Sequence, residues 1–436
     1  MYLWLSPIDF HCPERLSIQA GSIKIFALPI LIIGKKQPKR NNMKNSVLLI
    51  LTGLIFIGCS TPATDDFISR SMDVAKQQAL FMAAYMDNHP ERLPRSYDHE
   101  SESIITSNSR WWCSGFYPGV LWYLSEFHHD ENLQKLAEKY QSRVEKEKYN
   151  TYDHDIGFQI YCSFGNAYRL TKAEAFKDVI LTAAHSATQR YNESVGLIRS
   201  WDFHQDRWQY PVIIDNMMNL ELLMRAFHLT GDSLYYHVAV NHSDNTLKHH
   251  YRPDHSSYHV VSYDTITGLP HAKNTHQGAF DESIWARGQA WGLYGFKLMY
   301  RETGYERYLN KAVNIANLMI DHPNMPEDMI PYWDYSSPDI PNTYRDASAA
   351  AIMASALVEL SGFTDGQLQS KFISAAQTQL ETLSTPEYLA EPGTNGFFIL
   401  KCSVGNLNRN SEVDVPLTYA DYYFIEALVR YSRLSN

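Results

Sequence analysis

The sequence predicts an all-α chain folded as an (α/α)6 barrel, a toroid of six helical hairpins, and three observations carry that prediction. Apolar residues recur at helical spacing through most of the chain, as in Tyr305, Tyr308, Leu309, Ala312, Val313, Ala316 and Met319. A polar turn signal returns between such segments, in YRLTKAEAF near 171, FHLTGDSLY near 230, YRETGYERY near 303 and VELSGFTDGQL near 361. Its interval of roughly 60 to 70 residues is that of repeated αα-hairpins. Short and long connections also alternate, which fits a closed ring of hairpins, with an open solenoid as the alternative architecture.

The N-terminus stands apart from this pattern. Met43-Lys44, the apolar run Val47 to Ile57 and Gly58 before Cys59 read as a lipoprotein signal peptide over 43–58. The run is too short for a spanning helix, which needs about 20 apolar residues. Cys59 is then the lipidated first residue and 59–65 a tether. Residues 1–42 become a non-native upstream extension, with Met43 the true start. The expected location is periplasmic or outer-membrane-associated, with membrane contact only through the lipid anchor. No Pro/Ser/Gly-rich linker follows residue 65, so 66–436 is predicted as a single domain.

Twelve helices are expected, at 66–89, 115–128, 131–147, 156–170, 172–190, 215–229, 231–249, 283–302, 304–321, 346–361, 366–383 and 418–435. Phe176, Val179, Ile180 and Ala183 show the same helical spacing in 172–190. The long connections 90–114, 191–214, 250–282, 322–345 and 384–417 gather at one end of such a ring. They hold most of the Trp, His, Asp and Pro that chemistry could use.

Charge narrows the partners. The whole chain carries a net −10, and removing 1–58 takes away seven basic and two acidic side chains, leaving the rest five charges more negative. That argues against nucleic acid, while a small acidic ligand held by a few local donors fits. Cys113, Cys162 and Cys402 remain after lipidation, an odd number at no metal-like spacing, and read as core thiols. The His pairs at 128–129 and 249–250 lack ligand partners at metal spacing and read as surface residues.

Four stretches stand at junctions between a long loop and an inner helix. They are SRWWCSGFYPGVLWYLSE (109–126), YDHDIGFQIYCSFG (152–165), VIIDNMMNLELL (212–223) and FDESIWARGQAWGLYGF (280–296). A helix start offers free N–H groups and a positive dipole end, so a single Asp there is an ordinary N-cap. Residues 209–223 read as the opening of a buried helix, yet Asp215 follows Val212, Ile213 and Ile214 directly. A carboxylate in apolar surroundings is costly to keep ionised. Trp, His, Asn, Arg and carboxylates at equivalent ends of several hairpins point to a shared site.

HDIGF, IIDNMMNLELL and ESIWARGQAWGLYG, in that order and spacing, resemble the unsaturated glucuronyl hydrolases, family 88 of the glycoside hydrolases. The resemblance runs from about residue 65 to the C-terminus and implies an (α/α)6 barrel. It implies hydration of the C4=C5 vinyl ether in the 4,5-unsaturated uronic acid that polysaccharide lyases leave at a non-reducing end. No metal or organic cofactor is implied. Carried over by position, Asp215 is the catalytic acid/base and Asp155 the second essential Asp. A raised pKa suits a proton donor to carbon near neutral pH, and the apolar approach plus a second carboxylate push that way.

His259 in SSYHVVSYD matches the family's active-site His, and His154 is expected to line the same pocket. Arg287 and Trp291, four apart and so on one helix face, match residues that hold substrate. A planar guanidinium suits the uronate carboxylate, and an indole suits a sugar ring. Trp112 is expected as another wall, with Trp111 as its rival, and Asn219 and Gln277 as polar contacts. Lys401 and Ser403 are candidates for a sulfate or second sugar, in loops (322–345 and 384–417) expected to set the aglycone.

Blander readings of the same residues exist. Trp291 and Trp122 at helical spacing would be core aromatics, and Arg287 an ion-pair partner of Glu282 or Asp281. Asp421 reads mainly as part of the closing helix. The functional alternatives are an unsaturated rhamnogalacturonyl hydrolase acting on pectin fragments and a non-catalytic glycan-binding lipoprotein.

Overall fold

A computed structural model describes residues 64–434. The expected extension 1–42, the signal peptide 43–58 and lipidated Cys59 lie outside the described residues. Helix α1 (Thr64–Met86) starts inside the expected tether. Five hairpins follow: α2 (Phe116–His128) with α3 (Glu131–Ser142), α4 (Asn166–Thr171) with α5 (Glu174–Thr188), and α6 (Asn216–Thr230) with α7 (Ser233–His249). Then come α8 (Ala286–Thr303) with α9 (Glu306–Ile320) and α10 (Ala347–Ser361) with α11 (Gly366–Leu383), before the closing α12 (Thr418–Ser432).

Six of these elements form an inner ring, each packed on the next. The order is α2, the π-helix Gly157–Gly165 that leads into α4, then α6, α8, α10 and α12, which closes on α2. Inner helices are apolar nearly all round; α8 is buried from Ala286 through Met299. Outer helices bury one stripe, as α9 does with Tyr308, Ala312, Ile315, Ala316 and Met319. The recurring turn signal has a plain cause. In Thr230-Gly231-Asp232, Gly231 takes the left-handed φ of 73° that ends α6, and the Asp232 carboxylate accepts from Leu234 N to start α7.

The long connections are less irregular than expected, because four of them carry short antiparallel strands. These are β1 (Leu93–Asp98) with β2 (Ser103–Ser107), β3 (Tyr191–Asn192) with β4 (Leu197–Ile198), and β8 (Ser403–Asn406) with β9 (Ser411–Val415). A three-stranded sheet runs β5 (Pro211–Ile213), β6 (Val260–Tyr263), β7 (Pro270–Asn274), with Ile213 opposite Val260. Residues 211–213 are therefore strand rather than the opening of a helix. Consecutive β-branched side chains fit a pleated surface better than a helix, and Pro211 suits the start of an edge strand. The partner β6 lies far along the chain, where local periodicity does not reach. His250 differs from its surface expectation too: it is fully buried and its Nε2 donates to the Val212 carbonyl at 3.1 Å, bracing β5.

The end of the barrel where the inner helices finish is closed by charge. Glu426 accepts from Tyr123 at 2.8 Å, Ser355 at 2.6 Å and Arg430 at 3.1 Å. Glu359 pairs with Lys297 at 2.5 Å, Arg301 at 2.9 Å and Arg430 at 3.2 Å.

Candidate active site

A cavity of about 430 Å³ opens at the other end, where the inner helices begin. Asp215 faces it from the junction of β5 and α6. The ladder continues one step past β5, with Ile214 N donating to the His259 carbonyl at 3.1 Å, and α6 starts at once behind it. Asp215 occupies the N-cap position but makes no side-chain capping bond. Its Oδ2 is buried without a hydrogen-bond partner. Burial pushes the carboxyl up to about 7, against the opposing pull of the Arg287 charge, the helix-start N–H and the Trp291 indole. The indole Nε1 acts there through its dipole, since it makes no hydrogen bond of normal geometry.

Asp155 faces the same cavity from the start of the π-helix. Burial raises its carboxyl well above the usual range, with the charges of Asp153 and Asp215 acting the same way and Arg190 opposing. One residue braces the backbone near both carboxylates. Ser200 accepts from His154 N at 3.1 Å through its carbonyl and from Ile213 N at 2.8 Å through Oγ. The π-helix itself, a form often found at functional sites, sits where backbone crowds backbone. A Cβ on Gly157 would lie 2.5 Å from Asn219 Oδ1. The same Oδ1 accepts from Phe158 N at 2.9 Å.

The tautomer of His259 follows from its neighbours. Its Nδ1 faces the backbone N–H groups of His276 and Gln277, each at 3.1 Å, so it must accept. The proton therefore sits on Nε2, which points at Asp215 Oδ2 from 3.8 Å. Burial holds this imidazole, and that of His154, well below the ordinary histidine range, so both are neutral. His154 Nε2 lies 3.5 Å from Asp155 Oδ1.

The walls are aromatic and cationic. Trp111 and Trp112 both line the cavity, so the two rivals share the wall. Arg95 lies 3.9 Å over Trp111 and pairs with Glu412 at 2.6 Å. Trp201 and Phe203, stacked at 4.7 Å, form the facing wall with His276. Arg110, Asp153, Asn406, Arg409, Ser411, Glu412 and Tyr419 complete it. None of these was singled out from sequence; all but Asp153 and Tyr419 belong to the long connections.

The expected substrate contacts divide by depth. Asp155, Asp215, His154, Trp112, Gln277 and Arg287 line the cavity. His259, Asn219 and Trp291 lie beneath it. Trp291 is 1% exposed and packs on Phe158 at 5.3 Å and Tyr423 at 5.4 Å, so it supports the floor instead of stacking on a sugar. It shares a helix face with Arg287 but sits one turn deeper in the barrel. Asn219 is occupied by Phe158. Gln277 turns its amide to the Gly405 carbonyl at 3.0 Å.

Arg287 is largely committed to the protein. It pairs with Asp346 at 3.2 Å rather than with Asp281 or Glu282, and donates to the carbonyls of Val404 and, at 2.7 Å, Gly405. Lys401 instead reaches the Pro386 carbonyl at 2.7 Å, Ser403 is buried, and neither lines the cavity. No residue of 322–345 lines it either. Asp421, also pushed up to about 7 by burial, accepts from Ile399 N and Leu400 N at 3.0 and 2.8 Å and faces the core. Trp122 is the core aromatic that its spacing suggested.

Comparison with known proteins agrees with this geometry. The chain is 41% identical over 400 residues to the unsaturated glucuronyl hydrolase of Formosa agariphila, covering 90% of this chain and 99% of that one. A crystal structure of an unsaturated glucuronyl hydrolase specific for heparin superposes with a TM-score of 0.82 at 44% identity, covering 85% of this chain and 98% of that one. The Streptococcus agalactiae unsaturated glucuronyl hydrolase, as an Asp-to-Asn variant complexed with dGlcA-GalNAc6S, superposes with a TM-score of 0.70 at 28% identity, covering 84% and 91%. These neighbours share the (α/α)6 barrel. Residues 85–432 match Glycosyl Hydrolase Family 88, and the chain belongs to that family of glycoside hydrolases.

Proposed function

We propose that the protein is an unsaturated uronyl hydrolase acting on lyase-generated oligosaccharides of the glycosaminoglycan type. The observation that carries this is Asp215: a cavity-facing carboxyl that keeps its proton to about pH 7, beside a neutral His259 and a second carboxyl, Asp155. Such a group can donate to carbon where an ordinary carboxylate is ionised.

Asp215 gives its proton to C4 of the unsaturated uronate. The double-bond electrons form the new C4–H bond, and positive charge develops at C5 and the ring oxygen. Water adds at C5, and the proton it loses returns to the ionised Asp215. The resulting hemiketal opens at its C5–O5 bond to a C5 ketone and a C1 hemiacetal, the C5 hydroxyl proton passing to O5. The hemiacetal then collapses to the aldehyde, its proton passing to the glycosidic oxygen as the C1–O bond breaks and the next sugar is released. Asp155 and the neutral His154 support the sugar hydroxyls and the water, and His259 Nε2–H steadies the ionised Asp215. The separation rule for retaining and inverting carboxylates does not apply, because nothing is displaced at the anomeric carbon. Trp111 and Trp112 give the sugars flat apolar faces, and the free donors of Arg287 attract the uronate.

The N-terminal signal and Cys59 support a lipid-anchored, periplasmic or outer-membrane-associated enzyme. Metabolic labelling with a fatty-acid probe, lost in Cys59→Ala, tests that part. The activity test is the ultraviolet absorbance of the C4=C5 bond. It should fall when the enzyme meets unsaturated heparin, chondroitin or hyaluronan disaccharides. Unchanged absorbance with all of them sinks the proposal, and a fall only with unsaturated rhamnogalacturonan disaccharide moves it to pectin fragments.

A further inference from the structure

Asp346 does not touch the cavity, yet it holds together two things that shape it. The residue is fully buried. Its Oδ1 caps α10, accepting from Ser348 N at 3.0 Å and Ser348 Oγ at 2.6 Å, and faces Val404 N at 3.3 Å. Its Oδ2 is turned the other way, to Arg287 Nη1 at 3.2 Å. Arg287 passes the contact on to the carbonyls of Val404 and Gly405. The start of α10, the first turn of α8 and strand β8 thus meet in one buried knot. From β8 and β9 the hairpin presents Gly405, Asn406, Arg409, Ser411 and Glu412 to the cavity.

We propose that Asp346 is a positioning residue for the reaction: by holding Arg287 against Val404 and Gly405 it fixes the β8–β9 hairpin and the guanidinium charge that faces Asp215. The proposal rests on the reading of Asp215 as the acid. A cap alone does not explain Asp346, because Asn serves an N-cap as well as Asp and needs no guanidinium behind it.

The electrostatics give the knot a consequence that simple bracing lacks. Asp215 is faced by Asp155 and His154 from the π-helix side, by His259 from the β6 side, and by Arg287 and Trp291 from α8. Both histidines are neutral, so Arg287 is the cation among them, and it pulls the Asp215 carboxyl down against burial. The groups acting on Arg287 are Tyr419, Asp346, Asp215 and Glu412. Asp346 is fully buried, so its charge offsets that of Arg287 in a medium that screens little.

Two substitutions should therefore move Asp215 in opposite directions. Asp346→Asn keeps a cap acceptor but leaves Arg287 uncompensated, and the Asp215 titration should move down by about one pH unit. Arg287→Met removes the cation, and the titration should move up by a similar amount. Arg287→Lys keeps the charge but not the fork, so the titration stays near the native value while KM rises by about tenfold or more. Asp346→Glu should recover most of the native behaviour.

The readout is a carbon-13 titration of protein labelled at the aspartate carboxyls, with Asp215 assigned by its loss in Asp215→Asn. The alkaline limb of kcat/KM on an unsaturated disaccharide is followed alongside. If Asp346→Asn and Arg287→Met leave the Asp215 titration in place, or shift it the same way, the proposal is overturned. A lowered Tm with an unmoved titration overturns it too, since that is what bracing alone produces. Should Asp346→Asn fail to fold, Asp346→Ser, which keeps a cap acceptor without the charge, is titrated instead, and an unmoved Asp215 overturns the proposal. Absence of turnover by the native protein would defeat the functional reading but leave the titration test intact.

Discussion

At the closed end of the barrel Glu359 has Lys297, Arg301 and Arg430 all within 3.2 Å. At the open end the one ion-pair-distance neighbour of Asp215 among the described residues is neutral His259, 3.8 Å away. Both carboxyls are deeply buried, and burial alone raises both. At the closed end three cations overturn that effect and hold Glu359 well below the carboxylate range. At the open end the Arg287 charge is shared with Asp346, burial wins, and Asp215 sits at about 7. One barrel thus carries a paired network that can only hold structure and an underpaired carboxyl that can move a proton. Depth of burial is the same in both; supply of counter-charge separates them.

The largest test removes the proposed proton donor. Asp215→Asn should cut turnover of an unsaturated disaccharide by about a thousandfold or more while Kd changes little. Full activity in that variant would remove the contrast between the two ends. Next comes the closed end. Glu359→Gln leaves Lys297, Arg301 and Arg430 short of a partner and should cost about 3–5 kcal/mol in denaturant unfolding. The alkaline limb of its pH profile should not move.

An effect of opposite sign follows in stability. Because the folded pKa of Asp215 is raised, its stabilising contribution is full below the unfolded value of about 3.9 and is lost as pH rises through about 7. Asp215→Asn should therefore be more stable than the native protein at pH 8, by up to ~4 kcal/mol, with the difference vanishing toward pH 4. The smallest test sharpens the comparison, because Asp421 shares the value of about 7 but faces the core. Asp421→Asn should lose ~1 kcal/mol of stability and leave the pH profile of catalysis unchanged. A shifted profile would mean that core carboxyls as well as cavity carboxyls govern the limb.

Much of this was legible before any coordinates. Helical spacing and the Thr-Gly-Asp type of turn signal rest on interactions within a few residues of each other, so the helices and their tight turns could be read locally. The same holds for the alternation of connections, and so for the end at which the site lies. Asp155 and Asp215 drew attention as carboxylates at helix starts, while the roles given to them, to His154 and to Arg287 came from the resemblance to family 88. Depth could not be read in this way. Trp291 and Arg287 share a face, yet Trp291 sits one turn further into the barrel, where Phe158 and Tyr423 from other helices cover it.

Pairing across the ring was equally hidden. Nothing local links Arg287 to Asp346 or Ser200 to the backbone of His154, and the strand at 211–213 needs β6 to exist. The chain by itself determined a ring of helical hairpins with its chemistry at one end, because periodicity and turn residues act over short range. Tertiary structure alone decided which buried carboxyls meet cations and which do not. That choice depends on side chains brought together from distant segments, and it leaves Glu359 ionised among three cations and Asp215 with a carboxyl raised to about 7.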